Sequence, residues 1–193
     1  MTAPFDFTAR MRAVCQDMIV RLPELGHIDL ARVLVCFKQA RKRVPHGMFA
    51  SLTPLRFEGG SPTTVRRGKP LAIQRLVDPA GREMLYILGF YLPRFMDLVF
   101  REKLITIMHE LWHISPRFDG DIRRHAGRCF AHTGSQSAYD VEMDRLAQRW
   151  LAQEPPEELW GFLTGSVEEL VARHGRIVGV KVPRPRLIPV GSG

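Results

Sequence analysis

The chain has 193 residues, 45% hydrophobic and 25% charged, with a formal net charge of +8. That length carries one domain with a real core, and that composition excludes a disordered or fibrous chain. Three scattered cysteines (Cys15, Cys36 and Cys129) exclude a disulfide framework and a four-cysteine zinc ribbon, and Cys15 and Cys36 are expected as buried, reduced thiols.

The N-terminus, "MTAPFDFTARMR", lacks the apolar stretch of a signal peptide, because Asp6, Arg10 and Arg12 interrupt it. Phe7, Met11, Val14, Cys15, Met18, Ile19 and Leu22 then recur at helical spacing. They predict a helix over 7–22, with Asp6 or Thr8 as N-cap and Pro23 and Gly26 as its end. "ARVLVCFKQA" (31–40) reads as a strand, "MFASLTPLRF" (48–57) as a second strand broken by Pro54, and "EGGSPTTVRRGKP" (58–70) as a loop. "LAIQRLV" and "REMLYILGFYL" flank the turn "DPAG" and predict a hairpin. The longest apolar run, "MLYILGFYL", is far short of the roughly 20 residues of a membrane-spanning helix, so a cytoplasmic protein with no membrane contact is expected.

A helix over about 97–114 follows. Leu104, Ile107, Met108 and Leu111 form its apolar stripe, and Glu102, Thr106, His109, Glu110 and His113 a polar one. A second helix, about 137–153, carries Val141, Leu146, Trp150 and Leu151, with Trp112 and Trp150 expected between helices. "PPEELWGFL" and "SVEELVARHG" read as short helices, and "RIVGVKV" as a last strand. The order of elements predicts an α+β fold, with a small, mostly antiparallel sheet packed on one side against helices. One domain spans 1–182, and 183–193 forms a flexible tail.

His109, Glu110 and His113 form an HExxH motif. Two imidazoles at i and i+4 on a helix can share one zinc ion, which lowers the pKa of the water it binds to about 7. A glutamate next to the first histidine stands beside the ion, where it can take a proton and pass it to a leaving amine. The reading is a zinc-dependent peptidase, with Glu110 as general base and a protein or peptide as substrate. A catalytic zinc needs a third protein ligand, and His125, Asp140, Asp119 and His132 compete for the place. His125, twelve residues after His113, is favoured, because Pro116 and Gly120 allow the chain to fold back; Asp119 has the spacing of HExxHxxxxxD sites but Pro116 where those turn on glycine. Tyr139, His132, Arg123 and Arg124 are candidates to reach an oxyanion. The apolar strand 84–92 is expected as a buried core strand and, by resemblance to zincins, also as the cleft edge that pairs with an extended substrate.

"HELWHISPRFDGDIRRHAGRCF" resembles the zinc-site segment of SprT-like metallopeptidases and of related phage metallopeptidases, with His125, Gly127 and Phe130 matching their downstream histidine, glycine and aromatic. The resemblance covers about 30 residues well and implies a compact zincin-like fold, with zinc on His109, His113 and His125 and Glu110 as base. "DVEMDRLA" has a weaker similarity to the ligand helix of gluzincin-type peptidases, with Asp140 at the ligand position. The zinc ribbon that ends many SprT-like proteins is missing.

Nine basic residues against the single acid Glu58 give the segment 32–70 a charge of +8. This segment predicts contact with polyanions or nucleic acid. The rival reading of the whole chain is therefore a basic nucleic-acid- or partner-binding protein whose zinc site is structural or vestigial.

Overall fold

The computed structural model describes residues 3–40, 47–124 and 136–190. The short strand β1 (Phe5–Asp6) leads directly into helix α1 (Phe7–Arg21). Asp6 caps α1, its Oδ1 accepting from the amide of Ala9 at 2.9 Å. The helical stripe read from sequence is the buried face: Phe7, Met11, Val14, Cys15, Met18 and Ile19 all lie in the core. Pro23 starts a 3-10 turn and α1 goes no further.

The central sheet has the order β2–β6–β3, from β2 (Val33–Gln39), β3 (Ala50–Pro54) and β6 (Tyr86–Leu92). β6 runs parallel to β2, from Val33 opposite Tyr86 to Gln39 opposite Leu92. It runs antiparallel to β3, from Ala50 opposite Phe90 to Pro54 opposite Tyr86. The central sheet is thus mixed, with its longest pairing parallel, rather than mostly antiparallel. β6, expected at the cleft edge, lies in the middle. Its side chains are apolar on both faces, with Leu88 and Phe90 in the main core and Ile87 in a second, smaller one, and a strand of that kind is most stable between two others. β3 holds the edge position.

Two other expectations give way in the same region. The 58–70 loop contains β4 (Thr63–Arg66) and the start of β5 (Lys69–Ile73), which pair as a hairpin. The "DPAG" turn does form, with Asp78 Oδ1 accepting from the amides of Ala80 and Arg82, but the strands it joins meet only at Val77 and Glu83. β5 then pairs with β4 and with β8 (Leu187–Pro189), so part of the expected tail is the third strand of an antiparallel sheet. The last predicted strand is present as β7 (Ile177–Val178), parallel to β1.

Helix α2 (Phe100–Trp112) lays Leu104, Ile107, Met108 and Leu111 into the main core and packs against β3 and the helix that follows it. Helix α3 (Gln136–Leu151) buries Met143, Leu146, Ala147 and Trp150, whereas Val141, expected on the apolar face, is 69% exposed. The Arg101 guanidinium holds Asp144 with two hydrogen bonds of 2.6 and 2.7 Å, and Trp150 Nε1 donates to Asp17 at 2.8 Å, which fixes α3 on α2 and α1. Helices α4 (Glu157–Trp160) and α5 (Val167–His174) close the C-terminal side. The molecule is α+β, and among the described residues no helix is long and apolar enough to cross a membrane.

Candidate metal centre

α2 carries the motif. One helical turn puts His109 and His113 on the same side, and their Nε2 atoms lie 2.9 Å apart. Two tetrahedral ligands at 2.0–2.1 Å from one ion keep their nitrogens roughly 3.3 Å apart, so the pair converges closely enough to share a zinc with a small rotation of either ring. The Tyr139 ring, from the first turn of α3, forms the inner wall. It meets His109 edge-on at 4.9 Å and stacks on His113 at 6.0 Å between centroids, and it is 5% exposed.

Glu110 does not share the solvated stripe expected for it. It turns under the edge strand, is 9% exposed, and its Oε2 accepts the main-chain amide of Leu52 at 2.6 Å. Leu52 can donate there because it sits on the free side of β3: Phe49 and Leu55 bond to the β6 side, so the alternate residues point outward. Burial pushes the Glu110 carboxyl up to about 7, against the opposing pull of the Leu52 amide and the Lys38 charge.

A cleft of 650 Å³ opens beside the motif. Met48, Phe49 and Ala50 line it from the β3 side, Leu98, Ile105, His109 and Glu110 from the α2 side, and Asp140 from α3. Asp140 therefore faces the same space as His109 and Glu110. Among the described residues, no three His, Cys, Asp or Glu side chains come together as a metal-holding group. His125 and His132 lie outside the described residues, as does Cys129.

The chain does fold back after His113, as the positions of Pro116 and Gly120 suggested. Phe118 and Gly120 both take left-handed backbone angles, and a Cβ at Gly120 would strike the Arg56 side chain. Tyr86 locks the reversal, its hydroxyl donating to the Asp121 carbonyl and accepting from the Gly120 amide, both at 2.9 Å. The Arg123 amide then reaches the His113 carbonyl at 2.7 Å, so the described chain returns to the C-terminal end of α2 just before position 125. Asp119, by contrast, is committed to this loop: it holds Arg117 at 3.2 Å and the Asp121 amide at 3.2 Å.

Of the other helpers, Arg124 is held by Asp121, and the Arg123 guanidinium lies 4.1 Å over the Trp112 ring while donating to the Trp112 carbonyl. Sequence reasoning missed two participants. Leu52 acts through its amide and leaves no signal in side-chain type. Lys103 left one: it falls on the apolar stripe of α2, where a charge is out of place. It is 1% exposed, and its Nζ donates to the carbonyls of Leu163 and Gly165 at 2.8 Å each. No family model matches the chain, and no curated protein or solved structure matches it either.

Proposed function

We propose that the chain is a zinc-dependent metallopeptidase with a zincin-like fold. The observation that carries this reading is the convergence of His109 and His113 at 2.9 Å beside a buried Glu110, at the mouth of a cleft bordered by a sheet edge. His109 and His113 would hold zinc through Nε2. His125 is the proposed third ligand, on its spacing in the sequence and on the return of the chain to α2 at Arg123; Asp140, which lines the cleft, is its rival. When bound, zinc supplies Lewis acidity and an acidified water at neutral pH.

The remaining work falls to groups of the chain itself. The Leu52 amide fixes Glu110 Oε2, leaving Oε1 as the oxygen that takes a proton and returns it to the leaving amine. A carboxyl pushed up to about 7 suits that exchange, because a general acid–base works best with a pKa near the working pH. An extended peptide would lie along the outer side of β3, using backbone groups at Ala50 for strand pairing, with Phe49, Leu98 and Ile105 supplying apolar contacts. Pro54 has no amide to offer and ends that edge. Among the described residues Cys15 and Cys36 are free thiols, which fits the proposed cytoplasmic location.

One observation favours a second reading. With Oε2 tied to Leu52, Glu110 resembles a structural carboxyl, and the metal would then be structural or vestigial in a nucleic-acid- or partner-binding protein. Zinc content and peptide hydrolysis, measured on the same preparation and on Glu110→Gln, separate the two. Zinc in both proteins with hydrolysis only in the wild type supports the enzyme. Zinc in both with hydrolysis in neither supports the structural site, and no zinc in either removes the enzyme and leaves the vestigial site.

A further inference from the structure

The basic segment 32–70 does not form one surface. Arg32 donates to the Glu83 carbonyl and Arg56 pairs with the Glu83 carboxylate at 2.6 Å, so both are spent inside the fold. Lys38 is placed differently. Alternation along the strands puts Lys38 of β2, Gly89 and Tyr91 of β6, and Ser51 and Thr53 of β3 on one face of the central sheet, the face turned away from the main core. Lys38 lies flat across this face: a Cβ at Gly89 would meet its Cε at 2.7 Å. Its Nζ thereby crosses the middle strand, donates to Ser51 Oγ at 3.0 Å and lies 5.2 Å from the centre of the Tyr91 ring. A glycine weakens a strand interior and marks a place where another group approaches the backbone closely; here that group is the lysine stem.

The C-terminal segment walls the same face. Val180 is pinned beside β2, its carbonyl accepting from the Phe37 amide at 3.1 Å and its amide donating to Thr8 Oγ1 at 3.0 Å. Further on, the Arg186 carbonyl accepts from the Gln74 amide at 2.7 Å. Between these two ties Val182 packs against the second core at Cys36 and Ile87, and Pro183 and Pro185 stiffen the strap on either side of Arg184. A groove of 460 Å³ remains between strap and sheet. Lys38, Ser51, Thr53, Tyr91 and Arg184 give it two cations and three hydroxyls, and Ile87, Val182 and the two prolines give it an apolar side. No carboxylate lines it, and among the described residues none pairs with Lys38 or Arg184. Glu110, across β3, feels the Lys38 charge without forming an ion pair with it.

We infer that this groove binds a small phosphate monoester with a flat or apolar body. Charge complementarity selects the head group. A phosphate monoester carries about −1.5 to −2 charges at pH 7 and three acceptor oxygens, which match two cations and three hydroxyl donors better than the single charge of a carboxylate does. Ser51 accepts from Lys38 and so keeps its own hydroxyl proton to donate. The Arg184 guanidinium offers a fork that a phosphate can take with two hydrogen bonds. The body of the ester would lie against Ile87, Tyr91 and the strap prolines. The groove falls within the roughly 300–1,000 Å³ of small-molecule sites, which favours a small ligand over a polymer. The inference is independent of the metal site, which lies on the other side of β3.

The test is isothermal titration calorimetry of the full chain with adenosine 5′-monophosphate, phenyl phosphate, adenosine, benzoate, inorganic phosphate and a phosphotyrosine peptide. Either ester should bind, with adenosine, benzoate and inorganic phosphate clearly weaker; which ester binds separates a nucleotide from an aryl phosphate, and equal binding of both marks the phosphate as the feature recognised. Lys38→Met and Arg184→Gln should each weaken the bound ester by about 10–100-fold, as expected for loss of a charged hydrogen-bond donor. Methionine keeps an unbranched stem over Gly89, and Arg184 is exposed, so both variants should fold. If Lys38→Met fails to fold, protection of Lys38 from acetylation by the bound ester in the wild type, read by mass spectrometry, takes its place. The inference is overturned by no binding of either ester at millimolar concentration, or by affinity undiminished in the variants. It is overturned equally by adenosine, benzoate or inorganic phosphate binding as tightly as the esters, or by the phosphopeptide binding far more tightly than phenyl phosphate, which would make the occupant a protein.

Discussion

The amide of Leu52 donates to Glu110 Oε2 at 2.6 Å, joining the edge strand to the motif helix across 58 residues of sequence. The acid of the HExxH motif and the rim of the cleft therefore move as one unit. Glutamine at 110 keeps a carbonyl oxygen for this amide while losing basicity. Glu110→Gln is expected to hold zinc like the wild type and to lose about 10²–10⁴ in kcat on a peptide substrate. Elemental analysis and a peptide-cleavage assay on the same sample check it, and loss of zinc from the variant would argue that Glu110 shapes the metal site instead.

The ligand assignment makes a ranked prediction. His109→Ala, His113→Ala and His125→Ala should each weaken zinc by orders of magnitude, whereas Asp140→Asn, near the site on the cleft wall, should cost about 10–100-fold. Competition against a chromophoric chelator gives the ranking. The reverse order for His125 and Asp140 would make the carboxylate the ligand.

Tyr139 acts on the histidines as a wall. Tyr139→Phe retains the ring against His109 and His113, so zinc affinity should change little. Tyr139→Ala opens a cavity behind both imidazoles, and a large-to-small change at a buried aromatic costs about 3–5 kcal/mol, with weaker zinc binding as the rings gain freedom. Denaturant unfolding and chelator competition check this pair; equal zinc affinity in the folded Ala variant would reduce the wall to a packing role.

Acid should loosen the seat of α3. The hydrogen bond from Arg101 holds the Asp144 carboxyl below its ordinary value, and that from Arg149 does the same for Glu24. Both carboxyls bind protons more readily in the unfolded chain, where their ordinary values are 3.8 and 4.5. Their contribution is therefore fully present above about pH 4.5 and is lost as pH falls through the lower folded values. The loss should be small, because exposed ion pairs contribute little. The melting temperature of Asp144→Asn should fall less steeply than that of the wild type between about pH 5 and 3; parallel acid limbs would remove this pair from the account.

Legibility in the sequence followed burial. α1 announced itself because Phe7, Met11, Val14, Cys15, Met18 and Ile19 face one core at a period of 3.6, and α2 likewise through Leu104, Ile107, Met108 and Leu111. The convergence of His109 and His113 followed from their one-turn spacing on α2. β4 and β8 were read as loop and tail because they are almost wholly exposed: Thr63–Arg66 and Leu187–Pro189 show none of the alternation that a half-buried strand carries. The exchange of β6 for β3 at the cleft edge depends on pairing between strands over 30 residues apart, which no local pattern encodes. Val141 misled for a related reason: α3 is seated by Asp144, Arg149 and Trp150 as well as by its apolar face, and Val141 is turned away from that seat.

Lys103 has a chemical consequence. Its ammonium group sits under the carbonyls of Leu163 and Gly165, and burial holds its pKa below the ordinary lysine value. An acylating reagent needs an accessible, unprotonated amine, so Lys69 on the exposed hairpin labels at once while Lys103 stays silent until the 163–165 turn lifts off the motif helix. The rate at which Lys103 acquires label is thus a clock for the parting of the C-terminal helices from α2, read on a native residue by mass spectrometry without any engineered probe.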